Sequence, residues 1–192
     1  MLTTVTPPGA LIDASDATLR EHLRLTAAQT HQDTAITAYC NTAAAHVEAY
    51  TRRRLLTQTL RLTLDGFGPR GVNLETAPVQ SIVAVRYVDG AGVTQTLAAD
   101  RYRLIDSLVP NRVFPTYRQT FPTPRLDRAV VEVDFVAGFG DAAADVPADI
   151  LQAIRMLVAH WFDNRDAVIV GTSADAMPFA IRSLLDPWRL WL

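Results

Sequence analysis

The sequence predicts an α+β domain: helical segments from both ends of the chain pack together, and a small, mostly antiparallel sheet is inserted between them. Three observations predict it. Apolar residues recur at about 3.6 residues in the first 54 positions, and the same period returns after Pro147. Between them, over residues 57–136, the period drops to 2. The 192 residues are 49% hydrophobic and 20% charged, which suits one globular domain burying roughly 70% of its unfolded surface. The expected division is a helical body at 11–56 and 145–186, a β insertion at 57–140 and a C-terminal peptide at 187–192.

Ser15 and Asp16 are placed to cap a short helix running to about Leu25, with Leu19 and Leu23 on one face. Asp33 is placed to cap a longer one. Its apolar positions are Ile36, Cys40, Ala43, Val47 and Tyr50, and alanine fills many of the others, so a neighbouring helix can approach closely. In TLRLTLDGF, Leu60, Leu62 and Leu64 share one strand face while Thr59, Arg61 and Thr63 share the other. Asp65-Gly66 and Gly68-Pro69 mark a turn. GVNLET reads as a second short strand, and SIVAVRYVDGAGVTQTL as a hairpin around Asp89 to Gly92. RYRLI at 101–105 and AVVEVDFV at 129–136 complete the set, with Val131, Val133 and Phe135 alternating against Glu132 and Asp134.

The span 109–125 holds four prolines and three aromatics in 17 residues. That density argues against a central strand and for a long, stiff loop with exposed aromatics. After AGFGDAAAD, Asp145 is placed to cap a helix, Pro147 suits its first turn and Asp149 favours its positive end. Ile150, Ile154, Leu157, Val158 and Trp161 form its broad apolar face. Pro178 starts a last helix, FAIRSLLD, which Pro187 stops.

Chemistry is sparse. The net charge is −2 and all 18 basic residues are arginine, so no global field steers the chain to a polyanion. Cys40 is alone, which rules out an intrachain disulfide, and no set of His and Cys ligands has the spacing of a zinc site. His46 has Glu48 two residues on, so the HExxH geometry is missing. His160 precedes Trp161 on an apolar helix, as a packed histidine would, with Asp163 three residues away. AGFG at 137–140 lacks GxGxxG spacing and reads as a sharp exit from the sheet. No catalytic residue, cofactor-binding residue or metal ligand is assigned. MLTTVTPPGALIDASD lacks the basic region and apolar core of a signal peptide, and no run of about 18 apolar residues suggests a membrane span. Arg52, Arg53 and Arg54 form the compact basic cluster, open to three readings: a solvated helix end, a protein contact or a DNA-backbone contact.

Three blocks carry a resemblance: AAAHVEAYTRRRLLTQTLRLTLDGF, PVQSIVAVRYVDGAGVTQTLAADRYRL and VEVDFVAGFGDAAADVPADILQAIRMLVAHWFDNRDAVIVG. Together they resemble the head–tail connector, or adaptor, family of long-tailed bacteriophages, also found in gene transfer agents. The resemblance covers residues 11–186 in order. It implies a structural protein without catalysis, made in the bacterial cytoplasm and placed in the virion at the head–tail junction. It further implies a ring, usually of twelve copies, beneath the portal protein. The ring would continue the DNA channel, let packaged DNA slide through without sequence preference and offer a platform for stopper or tail proteins. A tail-completion or stopper-like virion protein is the alternative. The family's folds are helical bundles, and this branch carries a sheet insertion.

The chain ends on MPFAIRSLLDPWRLWL. Trp188, Leu190 and Leu192 alternate with Arg189 and Trp191, as in an extended peptide laid in a groove or on a sheet edge. Phe179, Leu184, Trp188, Arg189, Trp191 and Leu192 are the residues expected to touch the portal. Packing of the same peptide on its own subunit is the competing reading. If 187–192 is a docking peptide, its deletion leaves a folded protein that fails to dock.

Overall fold

The computed structural model describes residues 1–26, 28–69, 71–164 and 177–191. It divides into two compact units: a sheet unit of Met1–Pro8, Leu56–Phe139 and Leu190–Leu192, and a helical unit of Gly9–Leu55 and Gly140–Arg189. The sequence-predicted fold class is the one observed, with helical ends packed together and an antiparallel sheet inserted between them.

The helical unit holds α1 (Ala17–His22), α2 (Asp33–Thr51), α3 (Ala148–Asp163) and α4 (Phe179–Leu185). Asp16 caps α1 as anticipated, its carboxylate accepting from the Leu19 amide at 2.6 Å. The same carboxylate accepts from Arg155 on α3, which ties the two helices together. Arg20 fastens the loop after α1, donating to Asp33 and to the Ala14, Thr26 and Gln29 carbonyls. Gln32, not Asp33, is the N-cap of α2, and Asp33 lies inside its first turn, where a carboxylate favours the helix dipole.

The buried stripe of α2 is Ile36, Cys40, Ala43, Val47 and Thr51. Thr51 takes the last place instead of Tyr50 because its hydroxyl is satisfied by the Val47 carbonyl at 2.7 Å. In α3, Ile150, Ala153, Ile154, Leu157 and Val158 are buried, whereas Trp161 is half-buried beside Tyr39 and His46. Pro147 is the N-cap of α3; Asp145 sits earlier, in a 3₁₀ turn, and accepts from the Ala142 amide.

The sheet unit contains a five-stranded antiparallel sheet in the order β1 (Leu2–Thr6), β2 (Gln58–Leu64), β8 (Val131–Ala137), β4 (Val79–Val88), β5 (Thr94–Thr96). A second sheet of three runs β3 (Val72–Asn73), β7 (Arg112–Pro115), β6 (Tyr102–Ile105). Leu60, Leu62, Val85, Val131, Val133 and Phe135 from the first sheet and Val72 and Val113 from the second form one buried core. On β2, β8 and β4 the alternate residues make a charged lattice. Arg61 grips Asp134 through Nε at 2.7 Å and Nη2 at 3.0 Å, while Arg86 reaches Asp134 at 2.5 Å and Glu132 at 3.2 Å. Hydrogen bonds from Arg61 and Arg86 hold the Asp134 carboxyl below its ordinary value despite its burial.

Two expectations are corrected. The N-terminus is not helical from its start: Leu2–Thr6 is an edge strand, and its mostly exposed Thr-rich residues give no alternation of apolar and polar to read. The proline-rich span is not all loop, because β7 lies within it, in the centre of the small sheet. Its prolines flank the strand instead of interrupting it; Pro110 precedes it and Pro115 is its last residue. Of the expected exposed aromatics only Tyr117 is fully exposed; Phe121 stacks on Phe67 at 4.4 Å. At the exit from β8, Gly138 has φ +136 and lies so close to the Leu56 carbonyl that no side chain fits there.

Candidate functional site

Of the residues proposed from sequence, Arg53, Trp188 and Arg189 meet in the helical unit at the C-terminal end of α2. Helix α2 ends because Arg52 takes a left-handed conformation, φ 58, which turns the chain away. The three arginines then diverge. Arg52 is exposed. Arg54 pairs with Glu48 at 2.9 Å, and the other oxygen of that carboxylate accepts from the Leu55 amide, which closes off the helix end. Arg53 points at the C-terminal segment: its Nε donates to the Trp188 carbonyl at 2.6 Å, and its guanidinium lies 5.7 Å from the Trp188 ring. Burial lowers the Arg53 pKa from its ordinary value.

A second pair of contacts runs alongside. The Tyr50 hydroxyl donates to Asp186 at 2.5 Å, and Arg189 lies over the Tyr50 ring at 5.1 Å. The hydrogen bond to the Asp186 carboxylate raises the Tyr50 pKa, since ionising the phenol would set two anions against each other. Tyr50, in the last turn of α2, and Arg53, just past its left-handed end, together hold residues 186, 188 and 189. Sequence reading missed Tyr50 and Asp186 in this role. The helical period marked Tyr50 as an apolar contact, and a tyrosine carries no sign of where its hydroxyl will bond.

The C-terminal segment itself is part helix, part extended. Pro178 is the N-cap of α4, whose Ile181 and Leu185 are buried, whereas Leu184 is half-buried and Phe179 is 82% exposed. Pro187 does end the α-helix, but the chain continues as a 3₁₀ turn, Asp186–Trp188, so Trp188 is not in an extended peptide. Arg189 is extended, Leu190 is only 4% exposed, and Trp191 is 75% exposed. Leu192 lies outside the described residues. Leu190 is buried, while Phe179 and Trp191 present large apolar surface to solvent.

Among the described residues no group of three or more His, Cys, Asp or Glu could hold a metal ion, and no helix is long and apolar enough to cross a membrane. His160 is half-buried on α3, with the Asn164 amide bonded to its backbone carbonyl.

No family model matches the chain, and neither does any curated protein. Solved structures do. A chain in the neck of an empty gene transfer agent particle, computed with C6 symmetry, is similar at 32% identity with a TM-score of 0.80; the match covers 100% of this chain and 96% of that one. A chain in the virion of a native gene transfer agent particle is 30% identical with a TM-score of 0.78, over the same coverage. A third, in the neck of a native particle computed with C12 symmetry, is 31% identical with a TM-score of 0.74, again over 100% of this chain. The match runs from one end of the chain to the other and includes both units, at an identity well above what a shared fold alone requires. The chain belongs to the head–tail connector family of phages and gene transfer agents, whose members are structural virion proteins and not enzymes.

Proposed function

We propose that copies of this chain form the ring that joins head to tail beneath the portal protein, continues the DNA channel and carries stopper or tail proteins on its far side. The observation that carries this reading is the full-length likeness to neck chains at 30–32% identity. Twelve copies would be compatible with the C12 and C6 symmetries under which those necks were computed.

Portal contact is assigned to the C-terminal segment. Phe179 and Trp191 supply the exposed anchors and Leu184 adds partly exposed apolar surface; Leu192, outside the described residues, keeps its sequence-based assignment to the same partner. Trp188 and Arg189 act one step back, holding the segment at the end of α2 so that Trp191 is presented with less freedom to lose on docking. Of the three arginines, Arg52 is the most exposed and is the one assigned to a partner or the DNA backbone. A net charge of −2 suits a conduit through which DNA must slide, because a strongly basic lining would hold phosphates.

Cryo-electron microscopy of the whole particle tests the reading. A ring of this chain with one face on the portal is the expected result. Copies found only at the tail tube would overturn it in favour of a tail-completion role.

A further inference from the structure

The two sheets treat their arginines differently. Arg61 and Arg86, on the larger sheet, both close on Asp134. On the smaller sheet, Arg103 lies opposite Phe114 and Ile105 opposite Arg112, so these four share the face turned away from Leu104 and Val113. Arg103 is exposed and Arg112 half-exposed, and exposed Arg101 and Arg118 lie just outside the two strands in sequence. None of these four arginines forms an ion pair among the described residues. Arg118 lies over the Tyr117 ring at 5.3 Å. Phe114 also lines a cleft of about 410 Å³, into which the stacked Phe67 and Phe121 are set. Unpaired arginine among aromatics is the composition of a protein interface core.

The chain also carries the opposite charge. Residues 100–128 contain six arginines and three aspartates, whereas residues 139–154 contain Asp141, Asp145 and Asp149 and no basic residue. All three of these aspartates are exposed, and none forms an ion pair among the described residues. The positive excess of the first stretch equals the negative charge of the second.

We propose that the arginine face of the small sheet docks on the Asp141–Asp149 stretch of a neighbouring copy and forms the side-by-side contact of the assembly. Each copy presents both halves, so the contact is heterologous and can repeat until a ring closes. Duplex DNA is the other polyanion at hand. A protein partner fits better, because Ile105, Phe114 and the aromatic cleft lie among the arginines and a phosphate backbone offers them nothing apolar. The inference rests on the reading that copies of this chain assemble with one another.

The test reverses charge in the full-length chain. Arg103→Asp with Arg112→Asp changes the sheet face; Arg101→Asp with Arg118→Asp changes exposed positions beside it and serves if the first pair disturbs folding by thermal melting. Asp141→Arg with Asp149→Arg changes the other half. Assembly is read as self-association by sedimentation velocity and as the fraction of particles with joined tails when the variant replaces the wild-type chain. Each reversal is expected to lower both at least about tenfold, through like charges brought together. Combining the arginine and aspartate reversals in one chain should restore them. Normal assembly of the arginine variants, or failure of the combined variant to recover, would overturn this interface while leaving the ring intact. Normal assembly of those variants with lost affinity for a 30-base-pair duplex would assign the face to DNA instead. Wild-type particles whose copies of this chain do not touch one another would overturn both the interface and the ring.

Discussion

Replacing Arg53 by alanine should release the C-terminal segment while leaving the two units folded. The change removes the 2.6 Å hydrogen bond from Nε to the Trp188 carbonyl and the stacking of the guanidinium on the Trp188 ring. A hydrogen bond from a charged donor contributes about 1.5–3 kcal/mol and a partly buried cation–π contact about 0.5–2 kcal/mol. The two share one side chain and are not additive, and Tyr50 keeps its bond to Asp186, so a net ~2–3 kcal/mol is the working figure. At 1.4 kcal/mol per factor of ten, the segment should open roughly 30- to 150-fold more often. Amide hydrogen exchange over residues 186–191 reads this directly. Arg53→Lys should give an intermediate result, since a lysine keeps the charge but lacks the planar fork. Unchanged exchange at 186–191 together with a lower melting temperature would refute the reasoning, because Arg53 would then be supporting α2 and not the segment.

Other perturbations separate docking from folding. Trp191→Ala, at an exposed position, should leave the melting temperature within about 1–2 °C of wild type yet lower the yield of joined particles; equal yields would remove Trp191 from the portal contact. Deleting 187–192 is a blunter test than the sequence suggested, since it takes away buried Leu190, worth about 1.5–3 kcal/mol, as well as the partner of Arg53. Gly138→Ala sets a methyl group against the Leu56 carbonyl at a φ few L-residues adopt, and chemical denaturation should show a loss of about 3 kcal/mol or more; a loss under about 1 kcal/mol would mean the strand exit relaxes freely. Asp134 has a depressed carboxyl pKa, so its contribution is present above the unfolded value near 3.8 and fades as pH falls through the lower folded value. Asp134→Asn should therefore flatten the acid limb of the stability curve, and an unchanged limb would show that other carboxylates control it. The Cys40 thiol, pushed up to about 11 by burial, should resist a thiol reagent at pH 8 until the chain unfolds; fast labelling of the native protein would place it at an opening helix face.

The sequence was legible where period and burial coincide. Ile36, Cys40, Ala43 and Val47, the alternation of Val131, Val133 and Phe135, and the hairpin at Asp89 all stand where periodicity and turn chemistry put them. Two strands escaped for opposite reasons. Leu2–Thr6 lacks an apolar face because most of it is exposed at a sheet edge, and Arg112–Pro115 was hidden by prolines that bound it. The functional contacts were less legible still. The C-terminal aromatics stood out by composition, but what holds Trp188 is a hydrogen bond to its main-chain carbonyl and a 3₁₀ turn. Neither has a side-chain signature. The unpaired state of Arg101, Arg103, Arg112 and Arg118 is likewise invisible in sequence, since pairing depends on which carboxylates the strand register brings alongside.

The register of β2 against β8 has a wider consequence. Gln58, the first residue of β2, pairs with Ala137, the last of β8. The long excursion that carries β2 to β8 thus begins and ends on paired residues, as a tight turn would. Such an insert is portable: closing its own first and last strands pays most of the entropy of bringing α2 and α3 into reach. A relative could enlarge the excursion between β2 and β8, and a designer could extend one of its loops, without moving the paired residues at its two ends.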